Sequence, residues 1–439
     1  MKYKNMAGVE SRVGRDDQQF DIRKTVLANG LVVVSEKMSQ VRSVSFGVFL
    51  RSGSRHEAIS QHGMTHFIEH ALFKGTGKRS TAQIAEETDA LGGYLDAFTA
   101  REITGFYNKV LDRHLPRAFE LLADLMTNPF FDPKELKKER SVILEEIKMI
   151  EDTPDELIFD IFAENFYPDH ALGRPVLGTP KTLATFERDQ VKSYYDQIYS
   201  PGNFVIAAAG NLDHEQLIEL ATEYFGALEQ RELQLKSTTP VPASPIIMRS
   251  KLELEQSHLI IGAPCPSALN EDRYVVSILS AVLGGGMSSR LFQSVREERG
   301  LVYSIFSSTN LFADCGYFTI YAGASTEQLA ETIAATMDEL RKIKEESIDV
   351  DELERNKDQL KASLMLNLES TSSRMSSLAQ HEMNFARFIS PDEIIAQVDA
   401  VSAEDVRRLA NHIFRSDALA VAVLGDLNGF KLGRPELEC

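Results

Sequence analysis

The sequence predicts an α+β fold written twice: two homologous domains, residues 1–235 and 236–439, each a mostly antiparallel sheet packed against helices. Three observations carry this expectation. A length of 439 residues suits two domains of about 200 residues better than one. Residues 189–213, DQVKSYYDQIYSPGNFVIAAAGNLD, align without a gap with residues 404–428, EDVRRLANHIFRSDALAVAVLGDLN, at an offset of 215. Upstream, DPKELKKERSVILEEI from Asp132 pairs with DVDELERNKDQLKASL from Asp349 at an offset of 217. Two nearly equal offsets of this length indicate a duplicated domain, because solenoid periods are far shorter.

The elements follow in order. TVLANGLVVVSEK (25–37) is a hairpin signal, with Asn29-Gly30 between apolar runs. SVSFGVFLRSG (43–53) is strand-like, and helical patterns follow over 63–74, 81–91, 114–126, 133–151 and 188–198. EQRELQLKSTTPVPASP (229–245) is polar and then rich in Ser, Thr and Pro, as a join between domains should be. The second half offers strands near 257–263, 302–308, 316–322 and 418–424, with helices between them. This mixture fits sheets layered with helices better than a regular βαβ wheel.

Hydrophobic content of 43% and charged content of 26% are those of a soluble globular chain with full cores. No apolar run is long enough to cross a bilayer, so no membrane partner is expected. The first twenty residues lack the apolar stretch of a secretory signal and carry acidic residues that a mitochondrial transit peptide avoids. A cytoplasmic protein is the expectation. Cys265, Cys315 and Cys439 are few and widely spaced, so no disulfide framework is implied. A net charge of −18 argues against a nucleic-acid partner and suits basic peptides if part of that charge lines a cavity. LGGGMSSRL (283–291) lacks the lysine and spacing of a phosphate loop.

The chemistry concentrates in GMTHFIEHALFKGT (63–76). Met64, Phe67, Ile68, Ala71 and Leu72 recur at helical spacing and should face a core, which places His66, Glu69 and His70 together on the other side. Two imidazoles at i and i+4 can reach one metal ion, and neutral imidazole is a good zinc ligand. Glu69 then stands beside the metal-held water, in the arrangement H-x-x-E-H, the inverse of H-E-x-x-H. A third ligand should come from the helix over 133–151, where Leu136, Ile143, Ile147 and Ile150 make a buried stripe. Glu139 and Glu146, seven apart, lie on one line beside it, and both are candidates. The repeat supplies a control. Asn356 and Ser363 stand opposite Glu139 and Glu146, and His258, His381 and His412 are not spaced as a ligand pair. The copies share a scaffold and only the first carries this chemistry, which favours function over fold as the reason for those residues.

HFIEHALFKGT, then ERSVILEEI with a glutamate 76 residues beyond the second histidine, and REERGLVYSI in the second half together resemble the pitrilysin/insulinase-type zinc metallopeptidases. The resemblance is to the branch of bacterial and mitochondrial processing peptidases and covers nearly the whole chain. It implies one zinc per chain held by His66, His70 and Glu146, with Glu69 as general base and Glu139 as an auxiliary acidic catalytic residue. It implies that LDAFTARE (95–102) is an edge strand onto which a substrate backbone adds, with Ala97, Phe98 and Thr99 in contact with the peptide. Asp96 departs from the family's usual Asn. Arg296 and Tyr303 match an Arg/Tyr pair that binds substrate, Tyr303 also stabilising the oxyanion. The activity implied is zinc-dependent endoproteolysis of extended, unfolded peptides inside a closed chamber. The family's chamber is built of four homologous domains. Two per chain imply a homodimer, with a heterodimer as the variant and a non-catalytic or partner-dependent subunit as the alternative reading.

Overall fold

The computed structural model describes residues 9–12, 20–231, 235 and 237–439. Two compact units emerge: Met1–Ile147, Pro175–Ser237 and Leu366–Ile389 form unit 1, and Lys148–Arg174, Thr238–Met365 and Ser390–Cys439 form unit 2. One change of unit, at Ser237/Thr238, falls inside the expected join. Each unit nevertheless contains a segment from the other half of the chain, so neither is one contiguous stretch such as 1–235.

Unit 1 holds a seven-stranded sheet, β1 (Val9–Arg12), β2 (Asp21–Val26), β3 (Val32–Lys37), β4 (Ser43–Leu50), β5 (Tyr94–Thr99), β6 (Thr104–Leu111) and β7 (Phe204–Gly210). Its order is β1-β2-β3-β7-β4-β6-β5, and only β3 and β7 run parallel. Unit 2 holds β8 (Ile246–Ser250), β9 (Ser257–Pro264), β10 (Val302–Leu311), β11 (Gly316–Ala324) and β12 (Ala420–Gly425), ordered β10-β11-β9-β12-β8 with β8 and β12 parallel. Apart from β1 and β2, the two orders coincide strand for strand, with β7 in the place of β12 and β5 in the place of β10. The hairpin signal at Asn29-Gly30 holds, but its turn is wider than the two-residue type. Leu27 and Leu31 close it, Gly30 takes φ +84°, and Asn29 Nδ2 donates to Phe225 O at 2.9 Å.

Five helices frame the site and the repeat: α1 (Met64–Leu72), α2 (Pro133–Glu151), α3 (Pro154–Phe166), α4 (Val350–Asn367) and α5 (Thr371–Phe385). One face of the first sheet packs on helices through Phe46, Phe67, Phe106 and Phe119, all fully buried. Each such side chain stabilises the fold by about 1.5–3 kcal/mol. The other face is covered by α5, through Met375, Leu378 and Ala379 against Phe49, Val205 and Ala207. In unit 2 the corresponding cover is α3, whose Ile158, Phe162 and Phe166 pack on Ile260 and Ala422. These two helices begin 217 residues apart, at Pro154 and Thr371. Each half of the sequence therefore provides the helix that closes the sheet of the other half's unit. Among the described residues no helix is long and apolar enough to cross a membrane.

Candidate metal centre

Helix α1 starts where Gly63 turns the chain with φ +91°. A Cβ at Gly63 would stand 2.7 Å from Gly178 Cα, so only glycine fits this close approach. The Glu57 carboxylate accepts the Gly63 N–H at 2.8 Å and the Thr65 N–H at 2.7 Å. It thereby satisfies two amides at the helix start and sets a negative charge on the positive end of the dipole. Met64, Phe67, Ile68, Ala71 and Leu72 are buried as their spacing requires, and His66, Glu69 and His70 are half-buried. On α2, Leu136 and Ile143 are buried, while Ile147 and Ile150 are partly so.

The two imidazoles stand with ring centroids 4.7 Å apart. Glu146 faces both: its Oε2 is 3.9 Å from His66 Nε2 and its Oε1 is 3.6 Å from His70 Nε2. One ligand atom from each of His66, His70 and Glu146 lies within 4.8 Å of the others. Of the two glutamates that sequence spacing left as candidates, Glu146 completes this triangle. Glu139 takes a different place. It is buried, its Oε2 lies 3.2 Å from His70 Nδ1, and its Oε1 is 3.0 Å from Lys74 Nζ. A proton on His70 Nδ1 shared with Glu139 leaves Nε2 free as a lone-pair donor toward Glu146 and His66.

Burial holds the His66 imidazole down at about 4, helped by the neighbouring His70, so His66 is neutral near pH 7. Among the described residues its buried Nδ1 has no hydrogen-bond partner. Burial opposes a charge on His70 as well, but the Glu139 hydrogen bond and the charges of Glu146 and Glu69 outweigh it and raise His70. Burial also pushes Glu69 above the ordinary carboxyl range, against the lowering effect of a hydrogen bond from Thr99. For Glu139 burial acts upward too, yet His70 and Lys74 together bring its carboxyl below the usual value. The set of two imidazole nitrogens and a carboxylate oxygen, with further carboxylates beside it, suits a divalent cation of zinc type.

Strand β5 is the edge of its sheet. Leu95 and Ala97 pack toward the core shared with α1, and Thr99 Oγ1 donates to Glu69 Oε2 at 2.5 Å. The Phe98 ring lies on the other face, against Phe49 and Tyr107, and Phe98 pairs with Gly105 across the ladder. Of the three residues expected to meet a peptide, Phe98 is thus the one turned away from Glu69. In unit 2, Arg296 lies in a π-helical turn, Phe292–Glu298. Its guanidinium carbon sits 4.5 Å from the Phe292 ring centre and 5.7 Å from that of Tyr303. Tyr303, on β10, is 77% exposed, which excludes a core role for it. Sequence spacing alone did not single out Lys74 or Glu57. Lys74 stands four residues after His70 on the same turn-to-turn line, and that position was its only signal.

Residues 32–180 match the family described as "Insulinase (Peptidase family M16)", and residues 185–360 match "Peptidase M16 inactive domain". The Bacillus subtilis "Uncharacterized zinc protease YmxG" is 41% identical over 401 residues, covering 91% of this chain and 98% of its own length. The chain belongs to peptidase family M16. A second relative, "Uncharacterized zinc protease SCO5738" of Streptomyces coelicolor, is 39% identical over 412 residues, which is 91% of this chain and 89% of that one. Among solved structures, a protease from Helicobacter pylori superposes with a TM-score of 0.83 at 23% identity, covering 92% of this chain and 99% of that one. A peptidase M16 inactive domain from Pseudomonas fluorescens gives 0.86 at 20% identity, with 92% and 97% coverage. Both superpositions show the same fold as this chain's α+β arrangement of two sheets layered with helices.

Proposed function

We propose that this M16 protein is a zinc-dependent endopeptidase that hydrolyses extended, unfolded peptides. The observation that carries the reading is the convergence of His66, His70 and Glu146 within 4.8 Å, with Glu69 on the same helix tied to the edge strand by Thr99. Under this reading His66, His70 and Glu146 hold one zinc per chain. When bound, zinc supplies Lewis acidity toward the scissile carbonyl and lowers the pKa of a coordinated water to about 7.

The chain's own groups do the rest. Glu69, raised by burial, is suited to take a proton at its free carboxylate oxygen and return it to the leaving amine. Thr99 fixes the other oxygen. Glu139 is a positioning residue: it holds His70 in the tautomer that presents Nε2, and Lys74 keeps Glu139 charged. Strand β5 offers backbone groups to an added peptide strand, with Ala97 and Thr99 turned to the same side as Glu69. Arg296 and Tyr303 are proposed to bind substrate, Tyr303 donating to the oxyanion. The exposure of Tyr303 in unit 2 suits action in a chamber completed by a second copy of the chain, and a cytoplasmic homodimer is the assembly proposed.

The test compares the wild type with Glu69→Gln for bound zinc and for cleavage of a quenched basic peptide. The reading requires zinc in both proteins and cleavage only in the wild type. Absence of zinc from the wild type overturns it. Zinc without cleavage, followed by cleavage on adding a second chain, would establish the partner-dependent subunit instead.

A further inference from the structure

The open edge of β5 is already partly engaged. Ala100 N–H donates to Ile103 O at 2.8 Å, which sets the phase of the ladder. Tyr94, Asp96 and Phe98 then pair through their backbones with Lys109, Tyr107 and Gly105, while Leu95, Ala97 and Thr99 turn their N–H and C=O groups outward. One of these outward donors, the Ala97 N–H, is taken by Asp96 Oδ1 at 2.9 Å. The second carboxylate oxygen, Oδ2, accepts the Tyr107 O–H at 3.0 Å. The carboxylate is framed by aromatic rings on the face opposite to Ala97. Tyr94 is 44% exposed and Phe98 37%, and both lie against Tyr107, with centroids 6.2 and 6.3 Å from it.

We propose that Asp96, with Tyr94, Phe98 and Tyr107, forms a subsite that admits a Lys or Arg side chain of the bound peptide and disfavours an acidic one. The inference rests on the peptidase reading above and adds to it the residue that selects substrate. A peptide strand that joins β5 needs the Ala97 N–H for one of its carbonyls, so docking displaces Asp96 Oδ1. Tyr107 retains Oδ2, and the freed oxygen stays at the edge. In an antiparallel added strand the residue opposite Asp96 sits in a non-hydrogen-bonded pair, the class in which facing side chains are closest. A cation there takes up the freed oxygen and lies over the Tyr94 or Phe98 ring. A carboxylate there meets a like charge, so selection works by penalty as well as by gain. Lys109, the cation nearby on β6, stands opposite Tyr94 in the register and leaves the position facing Asp96 to the substrate.

The experiment uses the full-length zinc protein and a short quenched peptide in which each position in turn is Lys, Gln or Glu. At one position the wild type should cleave the Lys peptide with kcat/KM about fivefold above the Gln peptide, and the Glu peptide least. That Lys-to-Glu ratio should shrink in high salt, and it should collapse below about twofold in Asp96→Asn. Tyr107→Phe, which loses only the Oδ2 anchor, should reduce the ratio partway. Zinc content reports that each variant is folded. A wild type that cleaves none of the peptides overturns the peptidase reading and this inference with it. A wild type that cleaves with a ratio unchanged in Asp96→Asn overturns this inference alone.

Discussion

Thr99 donates its hydroxyl to Glu69 at 2.5 Å, so one hydrogen bond joins the edge strand β5 to the acidic residue of the H-x-x-E-H helix. A peptide that docks on β5 and the group proposed to move its protons therefore share a mechanical link. Thr99→Val should lower kcat by about tenfold or more, the worth of a hydrogen bond to a charged group, and leave zinc content unchanged. Thr99→Ser should restore most of it. A kcat in Thr99→Val equal to the wild type would show that Glu69 is held by something else.

Glu139 bridges His70 Nδ1 and Lys74 from a buried position. Glu139→Gln removes the charge that orients His70 and leaves Lys74 without its counter-ion. Zinc affinity, measured by competition with a chelator, should fall about 10- to 100-fold, with α1 intact by circular dichroism. Affinity within twofold of the wild type would contradict the positioning role.

Gly63 carries φ +91°, and its missing Cβ is what lets Gly178 and Leu177 approach, with Leu177 O 2.7 Å from where that Cβ would be. Gly63→Ala strains the backbone and forces the 177–178 segment away from the start of α1. Urea unfolding should show a loss of at least about 2 kcal/mol. Weakened zinc binding should accompany it, because His66 follows three residues later. A midpoint equal to the wild type would mean that the segment yields freely.

Burial lowers His56 to about 4, and its Nδ1 accepts the Gly53 N–H at 3.1 Å, a bond that only the neutral ring can make. The ordinary value for the unfolded chain is 6.5. Between these values the unfolded state binds the extra proton and the folded state does not, so stability falls as pH drops from 6.5 toward 4 and levels off below. His56→Asn keeps an acceptor for Gly53 and removes the titration. Its urea midpoint should decline less than that of the wild type over this window. Parallel declines would assign the pH dependence to other groups.

Periodicity along the chain determined a good deal by itself. The spacing of Met64, Phe67, Ile68, Ala71 and Leu72 set the buried face of α1 and thereby the common side of His66, Glu69 and His70. The offsets of 215 and 217 announced the duplication that the two matching strand orders display. Such features are local or self-referential, so a single sequence contains them. Other features depend on which distant segments meet. Glu139 and Glu146 sit on one helical line, and only the packing of α2 against α1 turned Glu146 to the Nε2 atoms and Glu139 to Nδ1. The phase of the β5–β6 ladder decided that Ala97 faces the open edge and that Phe98 does not. The crossing of α3 into unit 2 and of α5 into unit 1 has no signature in hydrophobic spacing, since an amphipathic helix states that it will be covered and not by which sheet. Burial and neighbouring charges then set the charge states, because both are properties of the assembled surroundings and not of the residue.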